Sequence, residues 1–220
     1  MSDRCIFQLI KSQSITIVVT RYYKPEEIPF DYQRAYKQLK IHKESQKFEM
    51  MHKMVESLYQ RYLQNFEPRF RYKISKVLRG HSGSFSILLE GRMSFSGKGI
   101  HRLLAHSQYA AVYILTVGNK IDHEMAELSQ NDFAEAFFLD GIATTMTHGV
   151  LELLETELQN EAGTMGCTLG RRFAPGYARW ELTEQKKLFE LLNAEEIGMS
   201  LSDTYFMVPQ KSISGVYSLS

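Results

Sequence analysis

Arg172-Phe173-Ala174-Pro175-Gly176-Tyr177, then Leu182-Thr183-Glu184-Gln185-Lys186-Lys187-Leu188-Phe189-Glu190-Leu191-Leu192, then Ile213-Ser214-Gly215-Val216-Tyr217, read as a turn, a helix and a closing strand. The turn is rigid at its centre, because Pro175 fixes one backbone dihedral. Gly176 allows a ligand to approach bare backbone. Arg172 offers a planar fork of donors that matches a carboxylate through two parallel bonds, and Tyr177 supplies an aromatic ring. Such a loop can hold a small zwitterion beside a flat ring. Pro-Gly between an apolar run and a helix is also ordinary turn chemistry, so the loop needs its context.

That context alternates strands and helices without a strict βαβ rhythm. Ser14 to Tyr23 is rich in β-branched residues and runs into Lys24-Pro25 and Ile28-Pro29, which predicts a strand and a linker. From Phe48 the apolar positions Met51, Val55, Leu58 and Tyr62 follow at three and four, one stripe of a helix that ends before Pro68. Arg71 to Leu78 and Ser84 to Leu89 flank Gly80-His81-Ser82-Gly83 as a hairpin. Ile100 to His106 predicts a short helix, and Tyr109 to Val117 a strand buried on both faces. Residues 131–160 predict a long helix with Phe138, Ile142, Met146, Val150, Leu154 and Leu158 on one stripe. Gly141 and Gly149 interrupt it at a cost of about 1 kcal/mol each, for which close approach of a neighbouring element would compensate. Tyr205 to Val208 and Ile213 to Tyr217 predict two closing strands. The expected class is α+β: a mixed or antiparallel twisted sheet with flanking helices and a helical N-terminal region. Residues 1–30 read as an N-terminal strand and linker, and 31–220 as one domain whose helical part covers 31–67.

The order of motifs from Arg172 onward resembles the activation domain of cobalamin-dependent methionine synthase, the module that binds S-adenosylmethionine. That family carries an Arg, three residues and Gly-Tyr; a helix; Gly-x-x-Leu-Thr-Glu-Ser; Met-x-Pro; and Ser-Val-Ser. This sequence has Arg172 to Tyr177, the Leu182 to Leu192 helix, Gly198-Met199-Ser200-Leu201-Ser202-Asp203-Thr204, Met207-Val208-Pro209 and Ser212-Ile213-Ser214. The resemblance extends more weakly over residues 28–217, through Thr116-Val117-Gly118 and Leu139-Asp140, and is greatest to the free-standing form of the domain.

The resemblance implies S-adenosylmethionine as ligand, with Arg172 on the methionyl carboxylate, backbone near Ala174, Pro175 and Gly176 against the ligand, and Tyr177 lining the pocket. It implies cobalamin carried by a partner, a corrinoid-binding methyltransferase such as methionine synthase. There, an electron from flavodoxin or a similar donor produces Co(I), which takes the sulfonium methyl and so reactivates the methyltransferase. The cobalt is then the nucleophile, and no catalytic side chain is expected in this chain. Two other readings stand beside it: a docking module for a corrinoid protein, and a small-molecule sensor, each without methyl donation.

Composition excludes other classes. The 26 Lys and Arg balance 25 Asp and Glu, so no net field favours nucleic acid or an acidic membrane. Cys5 and Cys167 lie far apart and make neither a metal pair nor a disulfide framework. With no secretory signal and no long apolar run, the expected compartment is cytoplasmic. The seven histidines show no metal-ligand spacing, and no metal site is expected. Asn119-Lys120-Ile121-Asp122 matches the guanine-reading signature of GTPases, but Gly91 and Gly97-Lys98-Gly99 make an imperfect phosphate loop that lies too close to it. Met50, Met51 and Met54 are expected to fill core.

Overall fold

Strand β5 (Tyr109–Thr116) is buried along almost its whole length, and its two faces feed different cores. Ala111, Tyr113 and Leu115 pack on one side, and Ala110, Val112 and Ile114 on the other. This is why the run is apolar at consecutive positions rather than alternately. The computed structural model describes residues 17–78, 86–89, 93–177 and 179–220. Within them β5 pairs with β2 (Arg69–Leu78) and with β9 (Ser212–Leu219), both antiparallel.

The rest of the sheet extends from these three. β2 also pairs with β1 (Val18–Tyr22) at one end and with β3 (Ser86–Leu89) at the other, and β3 pairs with β4 (Ser94–Ser96). On the far side β6 (Leu169–Phe173) pairs with β9 and ends the sheet. All these pairings are antiparallel, and the class is α+β. The expected hairpin loop at Gly80 to Gly83, the residues before Ile17, Cys5 and Gly91 lie outside the described residues.

One face carries helices α1 (Tyr32–Gln38), α2 (Phe48–Tyr62) and the 32-residue α5 (Phe133–Thr164), preceded by α4 (Lys120–Asn131). The other carries α3 (Lys98–Leu104) and α6 (Gln185–Leu192). Asp132 separates α4 from α5 and caps the latter, its carboxylate accepting the Glu135 N–H at 3.0 Å. The glycine breaks in α5 have the expected compensation. A Cβ on Gly149 would overlap the Pro29 carbonyl oxygen, and one on Gly141 would meet the Leu39 side chain, so the N-terminal segment docks directly on the α5 backbone.

One expectation needs correction. Met50 is 60% exposed and Met54 36%, so of the methionine cluster only Met51 packs against core. Asn119 to Asp122 opens α4 as a structural joint: Lys120 pairs with Glu67 at 2.8 Å, and the Asp122 carboxylate accepts the Gln210 N–H at 2.6 Å. The first contact ties the helix to the segment before β2, and the second ties it to the segment between β8 (Met207–Val208), which pairs with β7 (Ser200–Leu201), and β9.

Candidate functional site

Arg172 lies near the end of the edge strand β6, opposite Tyr217 on β9, while Phe173 lies opposite Val216. Side chains alternate between faces, so Arg172 shares the α5 face with Tyr217 and Phe173 turns to the α3 and α6 face. Phe173 there stacks on Trp180, with ring centroids 5.8 Å apart and planes 9° apart. Trp180 is 1% exposed and meets Phe95 edge-on at 5.5 Å. This aromatic stack closes the loop that follows β6.

Within the loop, Gly176 adopts φ +88 and its N–H donates to the Trp180 carbonyl at 2.8 Å, while the Trp180 N–H donates to Tyr177 at 2.9 Å. Pro175 is buried, Ala174 partly buried, and Gly176 exposed. The Tyr177 ring is 69% exposed. Of the five residues singled out from the sequence, Arg172 lines a groove of about 780 Å³ beside β6, with Phe173, Arg171 and Arg179 as its neighbours there. Tyr177 stands outside that lining.

The surroundings of Arg172 are polar. Its charge lies beside the Tyr113 and Tyr217 hydroxyls and within reach of Glu155 on α5. Burial acts to lower the Arg172 pKa, but those oxygens outweigh it and hold the guanidinium above its ordinary value. The Tyr217 hydroxyl donates to Glu155; burial first, and then this bond, raise the Tyr217 phenol. The Tyr113 hydroxyl is buried beside the Arg172 guanidinium, and burial raises its pKa against the opposing charge of Arg172. Among the described residues Arg172 makes no salt bridge. The five arginines at positions 21, 34, 61, 69 and 71 each pair with a glutamate.

His148, about two helical turns before Glu155 on α5, responds to the same charge. Burial first, then Arg34 and Arg172, hold its imidazole below the ordinary 6.5. Below pH 6.5 the unfolded chain therefore takes up a proton that the folded chain resists, so stability is complete above that pH and falls as the pH drops toward the folded pKa. The expected result is a steeper loss of Tm between neutral and mildly acidic pH in the wild type than in His148→Gln, measured by thermal melts across that range. Equal slopes would contradict the assignment.

Sequence reasoning found Arg172 and the turn but not Glu155, Tyr113 or the cationic groove. The doublet Arg171-Arg172 was the available signal, since two adjacent arginines in a strand present charge to both sides. Among the described residues no helix is long and apolar enough to cross a membrane.

Fold and site together define an α+β domain that offers, at the edge of an antiparallel sheet, a guanidinium with no salt bridge among the described residues. Residues 102–220 match the family model described as vitamin B12 dependent methionine synthase, activation domain. That is more than half of the chain, and the chain belongs to this family. Among solved structures, the chain is similar to the one described as the MetH reactivation domain bound to AdoHcy. The TM-score is 0.73 at 15% identity, with 92% of this chain and 78% of that chain covered, a likeness that establishes the shared fold.

Proposed function

We propose that this domain binds S-adenosylmethionine at the end of β6 and presents it to the cobalt of a corrinoid protein, restoring that protein's methylated state. The observation that carries this reading is Arg172, whose guanidinium faces Tyr113, Tyr217 and Glu155 without a carboxylate in salt-bridge contact among the described residues. Family membership and the AdoHcy-bound relative support the same ligand class.

The donor set fits the ligand's amino-acid end. Arg172 would take the carboxylate through its fork, and the Tyr113 hydroxyl beside it can turn its proton toward the same anion. Glu155, partly exposed and already accepting from Tyr217, would face the ammonium. The Ala174 to Gly176 backbone, held by the Gly176 to Trp180 bond, gives the ligand a stiff wall. When bound, S-adenosylmethionine supplies an electrophilic sulfonium methyl. The chain itself needs no acid or base, because its contribution is orientation and exclusion of water. A corrinoid-binding methyltransferase of the methionine synthase kind as partner, a one-electron donor such as flavodoxin and a cytoplasmic setting belong to this reading.

The test is transfer of labelled methyl from S-adenosylmethionine to a corrinoid protein under reducing conditions with this chain added. Label on the corrinoid that depends on the chain is the expected result. Saturable ligand binding without any transfer would favour a sensor instead.

A further inference from the structure

The groove beside β6 carries charge that the amino-acid end of S-adenosylmethionine does not use. Its walls bring together Lys98 and Arg102 from α3, Arg171 from β6 and Arg179 from the loop, with no carboxylate among the lining residues; the Arg172 guanidinium turns to the other face. The assembly is built by the fold rather than by chance exposure. Gly97, at φ +149, lets the start of α3 abut the loop, where a Cβ would lie 2.9 Å from the Arg179 carbonyl oxygen. That contact sets Lys98 and Arg102 beside Arg179.

Pairing separates the arginines of this region from the other described arginines that form salt bridges. Arginines 21, 34, 61, 69 and 71 all form salt bridges to glutamates. Arg102, Arg171 and Arg179, all exposed, form none among the described residues. Arg102, Arg171 and Arg179 gathered without a salt-bridge partner among the described residues repel one another, so an entering anion is favoured there. S-adenosylmethionine is a poor candidate for the occupant, since its sulfonium and ammonium outweigh its carboxylate. Its acidic partner, Glu155, lies on the opposite face of the sheet, with Tyr217.

We propose that the groove between α3 and β6 is a second binding site, for a multiply charged phosphate-bearing anion. Guanidinium forks match phosphate oxygens bidentately, and a groove of about 780 Å³ is in the range of small-molecule sites. Leu103 and Phe173 give it an apolar wall, suited to an organic portion of the ligand. The inference is independent of how the amino-acid end of S-adenosylmethionine is held.

The test is calorimetric titration of inorganic pyrophosphate into the whole chain, with Arg102→Ala and Arg179→Ala as variants. Both side chains are exposed and unpaired among the described residues, so folding is not at stake. The expected results are saturable binding that weakens with added salt, and a loss of about tenfold in affinity for each variant. S-adenosylmethionine affinity stays unchanged in both. Absence of saturation at millimolar pyrophosphate, or affinity indifferent to both variants, would overturn the proposal. So would binding of an acidic peptide in place of pyrophosphate, which would make the groove a protein-docking surface. If Arg172→Ala failed to affect S-adenosylmethionine, the amino-acid subsite would be wrong and the pyrophosphate result would still stand.

Discussion

Arg172→Ala is expected to weaken S-adenosylmethionine binding by more than tenfold, as removal of a charge-assisted bidentate contact does, while Tm moves by no more than about 2 °C. The two halves of this result have separate causes. Affinity falls because the ligand carboxylate loses the guanidinium fork, and the neighbouring Tyr113 hydroxyl is a neutral donor that cannot replace a charge. Stability is kept because Arg172 is exposed on an edge strand and forms no salt bridge among the described residues. Arg172→Lys retains the charge but loses the planar fork, so it should fall between the two. Equilibrium dialysis with labelled ligand, paired with thermal melts, separates these outcomes. Equal affinity in the wild type and Arg172→Ala would remove the guanidinium from the site.

The second large effect is expected at Trp180. Its ring is 1% exposed, stacked on Phe173 and edge-on to Phe95, and truncation to alanine should cost about 3–5 kcal/mol. The loss reaches the ligand site through two connections. Phe173 adjoins Arg172 in β6, and the Trp180 backbone accepts from and donates to the Gly176–Tyr177 turn. Trp180→Phe keeps an aromatic stack and should lose less than half as much. Urea unfolding of both variants gives the comparison. A change below about 1 kcal/mol for the alanine variant, the range of ordinary surface substitutions, would show that the stack does not anchor the loop.

The sequence made the elements with pronounced periodicity legible. β5 was readable because it is buried on both faces, and α5 because its apolar stripe persists from Phe138 to Leu158, about six turns. Gly149 in α5 pointed correctly to a close backbone neighbour, which the fold reveals as Pro29, whereas Gly141 meets the Leu39 side chain. β6 escaped because Leu169-Gly170-Arg171-Arg172-Phe173 has a glycine and two charges and no alternation. An edge strand with a bulge tolerates such a pattern, since one side needs no partner. α4 escaped behind its resemblance to a guanine-reading motif, although Ile121, Met125 and Leu128 follow helical spacing.

The candidate site divides in the same way. Arg172 and its turn were accessible because Arg, Pro and Gly carry local chemistry at fixed offsets. Glu155 was not, since a glutamate in the run Leu154-Glu155-Thr156-Glu157 has nothing to distinguish it from the solvent-facing charges around it. Only antiparallel pairing of β6 with β9, which sets Arg172 opposite Tyr217, brings the guanidinium to the helix that carries Glu155. The cationic groove depends likewise on three separated segments meeting at Gly97.

The most direct test of the central claim is calorimetric titration of S-adenosylmethionine into the wild-type chain, with AdoHcy as competitor. The account predicts one saturable site per chain, displaced by AdoHcy and weakened by Glu155→Gln as well as by Arg172→Ala. Absence of saturable heat at millimolar ligand, or a site that neither substitution touches, would contradict it.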